Sequence, residues 1–227
     1  MAKLSRIGRG FNLLAPIYDG VVFLFFGKAF SRLQQQLFSD LASAEKCLII
    51  GGGSGEVLKN AIHQNLASEY YYAELSDRMI EKTKTRISRL NHPSSIEFSN
   101  DWTTWKEQSF DVIILPFVLD CYSETELQSL ISKLVSCLSP KGKILFIDFN
   151  QEAEFGYEAH FAKAGFITLL YAFFNIVTGI SAKKLPAFNQ LFMSQGLIAE
   201  KRILIKKGWI QAVCWSIRGA TIPANKG

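Results

Sequence analysis

A cluster of glycines indicates where this chain binds a ligand. The sequence Gly-Gly-Gly-Ser-Gly at residues 51–55 follows the short apolar run 47–50 and leads into a stretch with helical periodicity. Glycine permits positive φ angles and lets a ligand approach the bare backbone. The N–H groups at the start of the following helix add hydrogen-bond donors and the positive end of the helix dipole. These residues therefore predict a turn that cradles a nucleotide-like ligand.

Glu74 is a second residue with ligand-binding chemistry. It stands at the end of the second predicted strand, one strand away from the glycine turn, where a carboxylate can accept hydrogen bonds from both hydroxyls of a ribose. The alternative is a solvated carboxylate at a strand end, and the position beside the turn favours ribose binding. Two other nucleotide motifs are disfavoured, because Glu56 replaces the third glycine of G-x-G-x-x-G and no G-K-[ST] follows.

Alternating strands and helices must position these residues. Short apolar runs predict the strands, and helical periodicity or capping signals predict the helices between them. The connection at 206–208, three residues with a glycine, predicts a closing β-hairpin. The predicted strands are 46–50, 69–75, 95–99, 110–115, 143–149, 197–205 and 209–217. This order indicates an α/β fold, with a doubly wound, mostly parallel seven-stranded sheet that ends in an antiparallel hairpin.

The predicted domain organisation is a single sheet domain with a cap and an insert. Helical periodicity over residues 11–40 predicts an N-terminal helical cap, assigned to residues 1–40. Residues 41–227 form the sheet domain, which carries an apolar insert at 151–195 on the substrate side. Pro140-Lys141-Gly142 predicts a turn before the fifth strand.

Charge and composition limit the partners. The 227-residue chain carries a net charge of +5 in scattered positions, which favours solvated faces over a nucleic-acid-binding surface. Four separated cysteines predict neither a zinc site nor a disulfide framework, and a reducing cytoplasm fits best. The apolar segments 21–26 and 166–180 fall short of the roughly 20 residues of a spanning helix, so we expect no transmembrane segment. Peripheral membrane contact and the oligomeric state stay open.

Several motifs, in this order and spacing, resemble those of class I S-adenosylmethionine-dependent methyltransferases over almost the full chain. Residues 11–19 are similar to the cap of the small-molecule group that includes the ubiquinone and menaquinone methyltransferases. The other matching pieces are Gly51-Gly52-Gly53-Ser54-Gly55, Ala73-Glu74-Leu75-Ser76, Asn100-Asp101, Phe110-Asp111-Val112-Ile113, Leu138-Ser139-Pro140-Lys141-Gly142-Lys143 and the closing hairpin. The resemblance implies a Rossmann-like methyltransferase fold, with S-adenosylmethionine as cofactor and S-adenosylhomocysteine as product.

The resemblance also implies roles for individual residues. The glycine turn would hold the methionine part of the cofactor, Glu74 the ribose, and Asp101 with Trp102 the adenine. Tyr18 would close over the methyl-transfer site, and core packing of its helix is the alternative. The implied cofactor-binding residues are Gly51, Gly52, Gly53, Ser54, Gly55, Glu74, Leu75, Asp101, Trp102, Leu115 and Pro116.

Two departures from the family pattern bear on the chemistry. Ile49 stands where members often have an acidic residue two positions before the first glycine, so one indirect contact to the cofactor is missing. After the fourth strand this chain lacks the Asn or the pair of His that related sequences often carry. Asp120 and His160 are then the candidates for removing a proton from an acceptor, and a surface position is the alternative for His160.

The expected reaction is methyl transfer to a small, lipophilic acceptor: a quinol, a phenol or a lipid amine. Such a displacement requires alignment and exclusion of water and no metal, and the aromatic stretch 166–174 suits an apolar pocket. A non-catalytic cofactor-binding or regulatory protein is one alternative, supported by Ile49. An RNA methyltransferase is another, favoured slightly by the basic charge and opposed by the lack of an RNA-binding module.

Overall fold

Seven strands form one sheet in this protein. The architecture is that of a computed structural model, which describes residues 2–27, 29–39, 41, 43–105, 109–150, 186–206 and 208–218. The strands are β1 (Ala44–Ile50), β2 (Ala67–Ala73), β3 (Ser95–Ser99), β4 (Phe110–Pro116), β5 (Leu138–Phe149), β6 (Leu197–Ile205) and β7 (Ile210–Ile217). Their order across the sheet is β3-β2-β1-β4-β5-β7-β6.

The strand directions confirm the predicted fold. Strands β1 to β5 pair in parallel, whereas β7 pairs antiparallel with both β5 and β6. The strand order reverses between β1 and β4, and open α/β sheets bind ligands at such a switch point, beyond the carboxyl ends of the strands. The glycine turn follows β1 and therefore lies at this crevice.

Helices cover both faces of the sheet. In the described residues they are α1 (Ala2–Leu14), α2 (Tyr18–Phe26), α3 (Ala29–Phe38), α4 (Glu56–His63), α5 (Asp77–Ile87), α6 (Glu124–Ser136) and α7 (Phe188–Ser194). Alternate residues of a strand point to opposite faces. Cys47 and Ile49 accordingly pack in the cluster with α3 and α4, and Leu48 and Ile50 pack in the cluster with α6 and α7. Burial on both faces explains why the run 47–50 is apolar throughout.

In the described residues, the predicted cap at 1–40 contains three helices, and the first begins at Ala2, before the helical periodicity that starts at residue 11. The first break lies at Pro16, whose ring removes a backbone N–H from the helical ladder. The second lies at Gly27, which has a φ of +55°, a conformation that glycine adopts at little cost. Beyond it, α3 buries Leu33 and Leu37 in the core beside α4. Among the residues that the structure describes, no helix is both long and apolar enough to cross a membrane.

The predicted turn at Pro140-Lys141-Gly142 is wrong, because these residues lie within β5. The pairing moves from Phe110 with Leu138 to Val112 with Lys143. Two steps along β4 therefore match five steps along β5, so β5 bulges at this point. Proline is tolerated at bulges because no ladder hydrogen bond is required there.

Candidate functional site

The glycine turn connects β1 to α4 in a conformation that requires glycine. Gly51, Gly53 and Gly55 have φ values of +71°, +62° and +87°, in a region that residues with side chains rarely adopt. A Cβ on Gly52 would lie 2.5 Å from the Tyr72 hydroxyl. The turn therefore presents bare backbone at the carboxyl end of β1.

Gly53 is held at both of its backbone polar groups. Its N–H donates to Glu74 Oε2 at 3.0 Å, and its carbonyl accepts from Tyr72 Oη at 3.0 Å and Thr83 Oγ1 at 3.2 Å. Glu74 Oε1 accepts a further bond from the N–H of Ser76 at 3.1 Å. These contacts join the turn to the end of β2, and they bring Gly53 and Glu74 together.

The Glu74 carboxyl group is buried, with 8% of the residue exposed. Burial raises its pKa to about 7, while the backbone N–H bonds from Ser76 and Gly53 oppose that rise. The group therefore changes its charge near neutral pH, directly beside the turn.

Tyr18 lies against the turn from the cap side. Its hydroxyl is 2.9 Å from the position that a Cβ on Gly53 would take, and its ring contacts that of Phe11 edge-on, with centroids 6.4 Å apart. Burial, together with the charges of Glu74 and Asp19, raises the pKa of Tyr18. Tyr18 is therefore a neutral phenol at physiological pH and a hydrogen-bond donor rather than a base.

Asp19 joins the cap to the turn and to α5. Its carboxylate accepts a hydrogen bond from the Ser54 hydroxyl and forms ion pairs with Lys82 and Arg86, each at 3.0 Å. Arg86 also pairs with Glu56 at 3.1 Å. Burial opposes the ionisation of Asp19, but the bonds from Ser54 and Lys82 and the charge of Arg86 outweigh it and lower the pKa. We call these five residues the cap junction.

A cavity of about 410 Å³ lies between the cap, the turn and the carboxyl ends of β4 and β5. Aromatic rings form part of its wall: the centroids of Phe30 and Phe117 are 5.5 Å apart, and those of Phe117 and Phe149 are 5.3 Å apart. Of the predicted site residues, Gly51, Gly52, Ser54, Pro116, Tyr18 and Asp120 line it. The other lining residues are Phe11, Asp19, Val22, Phe23, Gly27, Phe30, Ser31, Glu56, Val57, Arg86, Phe117, Cys121 and Phe149.

Seven predicted cofactor residues are not part of this lining: Gly53, Gly55, Glu74, Leu75, Asp101, Trp102 and Leu115. The Leu115 side chain is fully buried in the core, and Trp102 packs in the same cluster. Asp101 is exposed, and its carboxylate accepts from the N–H of Thr103 at 2.9 Å. Its contacts in the structure are thus those of a local cap, which is an ordinary use of Asp after a strand.

The two remaining predicted residues to be placed are Leu75 and His160. Leu75 lies beneath α1, where its carbonyl oxygen is 2.5 Å from the position that a Cβ on Gly8 would take. His160 and residues 151–185 of the predicted insert lie outside the described residues, so the proposed role of His160 as a base stays a prediction.

Sequence analysis missed a buried carboxyl group, Asp148, near the end of β5. Asp148 is fully buried; its Oδ1 accepts from the N–H of Phe149 at 2.7 Å, and its Oδ2 has no hydrogen-bond partner among the described residues. Burial and the charge of Asp120 raise the pKa of Asp148 well above its usual value, which favours the protonated form. The available signal was its position as the one charged residue in the apolar run 144–149.

Comparison with known proteins finds one family that matches part of this chain. A family described as a methyltransferase domain matches residues 48–144, which extend from β1 into β5. No curated protein matches the sequence.

Solved structures share the fold at low sequence identity. A mitomycin 7-O-methyltransferase has a TM-score of 0.63 and 17% identity, over 91% of this chain and 60% of that one. An N-methyltransferase from Bradyrhizobium japonicum WM9, in complex with S-adenosyl-l-homocysteine, has a TM-score of 0.62 and 14% identity, over 85% and 88%. A mycolic acid cyclopropane synthase has a TM-score of 0.61 and 10% identity, over 84% and 83%. This chain therefore spans three fifths of the first protein and most of the other two.

Proposed function

We propose that this protein, a class I S-adenosylmethionine-dependent methyltransferase by its matched domain and its fold, methylates a small, lipophilic acceptor such as a quinol, a phenol or a lipid amine. The observation that carries the proposal is the cavity of about 410 Å³, in which bare turn backbone and aromatic side chains face one space. Apolar cavities with a few polar groups of this kind suit small organic ligands.

The residues at the turn fit the cofactor. Glycine is required at position 52 because a Cβ there would lie 2.5 Å from the Tyr72 hydroxyl, and the backbone of Gly51 and Gly52 lines the cavity on its other side. We assign the methionine part of S-adenosylmethionine to Gly51, Gly52 and Ser54, which line the cavity, and the ribose to the buried Glu74 carboxylate. When bound, S-adenosylmethionine supplies a methyl group attached to a positively charged sulfur.

Residues of this chain position the reacting ligands, form an apolar cavity wall and supply a proton acceptor. Phe30, Phe117 and Phe149 give the cavity an apolar wall, which suits a reaction that depends on positioning and on the exclusion of water. Asp120 lines the same cavity and is the group we assign to take the proton of a phenolic or hydroquinone acceptor. An amine acceptor needs no strong base. Tyr18, as a neutral phenol over the turn, positions ligand atoms by hydrogen bonding.

The structural neighbours support a small-molecule acceptor without selecting the methylated atom. Their names include an O-methyltransferase, an N-methyltransferase and a mycolic acid cyclopropane synthase. The lipophilic character rests on the cavity wall of this chain instead.

Calorimetry with S-adenosylmethionine tests the cofactor assignment. We expect Glu74→Gln to weaken binding by at least about tenfold, because the loss of a charged hydrogen-bond acceptor costs about 1.5–3 kcal/mol. Glu81→Gln is the matched control, since Glu81 is an exposed acidic residue on α5 that pairs with Lys84. Equal affinity of all three proteins would contradict the assignment of the ribose to Glu74.

Mass spectrometry then tests the acceptor. The protein is incubated with S-adenosylmethionine and, in separate reactions, with quinols, phenols, lipid amines and RNA. We expect the mass increase of one methyl group only among the lipophilic small molecules. Methylation of RNA alone, or cofactor binding with no product from any class, would overturn the proposed function.

A further inference from the structure

The outer side of the cap carries a stripe of exposed apolar residues. Leu13, Ile17 and Phe23 are 72%, 56% and 66% exposed, and Pro16 and Gly20 between them are exposed as well. We call these five residues the apolar stripe. Three of the six exposed large hydrophobic side chains in the described residues thus fall within an eleven-residue stretch, a concentration that marks an interaction surface.

The apolar stripe borders the cavity. Phe23 is both exposed and part of the cavity lining, together with Phe11 and Val22. On the inner side of the same helix, Tyr18 and Asp19 face the glycine turn. Helix α2 therefore has one side towards the turn and one apolar side towards the surroundings, and the cavity wall continues into the stripe at Phe23.

Basic side chains flank the apolar stripe. Arg9 is exposed one helical turn before Leu13. A groove of about 980 Å³ is bordered by Ala15 and Pro16 and contains five basic and three acidic side chains. The basic residues of this groove are Lys59, Arg78, Lys82, Arg86 and Arg89. Lys82 and Arg86 pair with Asp19, and Lys59 pairs with Glu56. The positive charge that is available to an anionic partner therefore comes from Arg9, Arg78 and Arg89, which form no ion pair among the described residues.

We propose that the apolar stripe and the basic groove beside it form a docking surface for an anionic lipid bilayer. Peripheral proteins bind membranes by shallow insertion of a few apolar side chains combined with attraction of Lys and Arg to anionic headgroups. A stable dimer needs about 800 Å² from each partner, more than a narrow stripe offers. This surface is independent of methyl transfer and requires neither cofactor nor acceptor.

Vesicle co-sedimentation of the full chain tests the proposal. Vesicles of phosphatidylcholine alone are compared with vesicles of phosphatidylcholine and phosphatidylglycerol. We expect the chain to bind the anionic vesicles at least about tenfold more tightly, and high salt to remove most of that difference. No binding to either vesicle, or equal binding to both, would overturn the proposal. Because no cofactor is present, this result is separate from the outcome for methyl transfer.

Paired variants assign the binding to the apolar stripe. Leu13→Ser combined with Ile17→Ser is expected to weaken vesicle binding by at least about tenfold, since two side chains can no longer insert. Met193→Ser combined with Leu204→Ser is the control, because these residues are 54% and 50% exposed on α7 and β6. Circular dichroism confirms that both proteins are folded. An equal effect of the two pairs contradicts the proposal, as does a dimer in sedimentation equilibrium that only the stripe variants dissociate.

Discussion

The charge of Glu74 changes with pH close to the physiological value. Its pKa is raised to about 7 because the group is buried, and the backbone N–H groups of Ser76 and Gly53, which donate hydrogen bonds to its carboxylate, oppose that rise. The ionised form accepts hydrogen bonds from ribose hydroxyls through both oxygens, whereas the protonated form loses one acceptor. Ligand binding at this residue is therefore linked to a proton.

Cofactor affinity should accordingly fall as the pH is lowered through about 7. At one pH unit below the pKa only about a tenth of the carboxyl groups are ionised, so we expect roughly tenfold weaker binding of S-adenosylmethionine near pH 6 than well above pH 7. Titration calorimetry over this range measures the effect. The same slope in Glu74→Gln would show that another group causes it.

Asp148 should reduce stability at neutral pH. Its folded-state pKa is raised, so the folded state holds the proton more tightly and stability falls as pH rises above the unfolded value. Asp148→Asn keeps the acceptor for Phe149 and places an amide across from Gln211, whose buried Oε1 has no partner within the part of the chain that the structure describes. We expect a gain of about 1–3 kcal/mol in the free energy of unfolding at pH 8 and little change at low pH.

Asp111 is a control, because its ionised carboxylate stabilises the folded state, whereas that of Asp148 destabilises it. Burial opposes its ionisation, but hydrogen bonds from the Lys46 N–H, the Ser139 hydroxyl and the Glu45 N–H lower its pKa. It therefore contributes stability above its unfolded pKa, and that contribution is lost as the pH falls. Asp111→Asn should lower the free energy of unfolding by about 1 kcal/mol at pH 8. Urea unfolding at both pH values compares the two variants; a loss of stability in Asp148→Asn at pH 8 contradicts this reasoning.

Among the elements, α2 is joined to the sheet domain by few polar contacts. Asp19 pairs with Lys82 and Arg86, and these three side chains are partly exposed. Asp19→Asn keeps an acceptor for Ser54 and removes the charge. Since such pairs contribute about 0.5–1 kcal/mol, we expect α2 amides to exchange hydrogen about two- to fivefold faster, with β1 unchanged. Glu81→Gln, which breaks an exposed pair with Lys84 on α5, should leave α2 exchange as it is.

The elements themselves were largely predictable from the chain. The run 47–50 is apolar at every position because both faces of β1 are covered. Ser76, a residue type that favours helix starts, precedes α5, and its side chain accepts from the N–H of Met79. The prediction of a turn at Pro140 to Gly142 failed, because a proline and a glycine suggest a turn when the partner strand is unknown. The bulge depends on pairing with β4, which local sequence does not encode.

The candidate site was predictable only where its signal is local. The residue types of the glycine turn predict it directly, and the position of Glu74 at a strand end predicts its role. Asp19, Ser54 and Arg86 lie up to 67 positions apart in the chain, and nothing in the periodicity of α2 or α5 reveals that they meet. Asp148 has a clear signal, a charge inside an apolar strand, but its burial depends on the hairpin strand β7 beside it.

At the scale of the whole molecule, the cap and the sheet domain should respond to a ligand together. S-adenosylhomocysteine at about 100 times its Kd stabilises the folded state by about 2.7 kcal/mol. Because Tyr18 and Asp19 contact the turn, we expect α2 amides to gain protection from hydrogen exchange along with β1. Helix α6, which contributes no residue to the cavity lining, is the reference. Protection of β1 without α2 would show that the cap acts separately.

Two contacts between α2 and the turn also affect ligand kinetics. Tyr18 contacts Gly53, and Asp19 accepts a hydrogen bond from Ser54. We expect movement of α2 to limit the access of a ligand to Gly53 from the cap side, so that the rate of ligand arrival levels off at high concentration. The same movement limits departure and gives the bound ligand a long residence time. Salt weakens partly exposed ion pairs, and should therefore shorten that residence time while leaving the contacts at the turn itself unchanged.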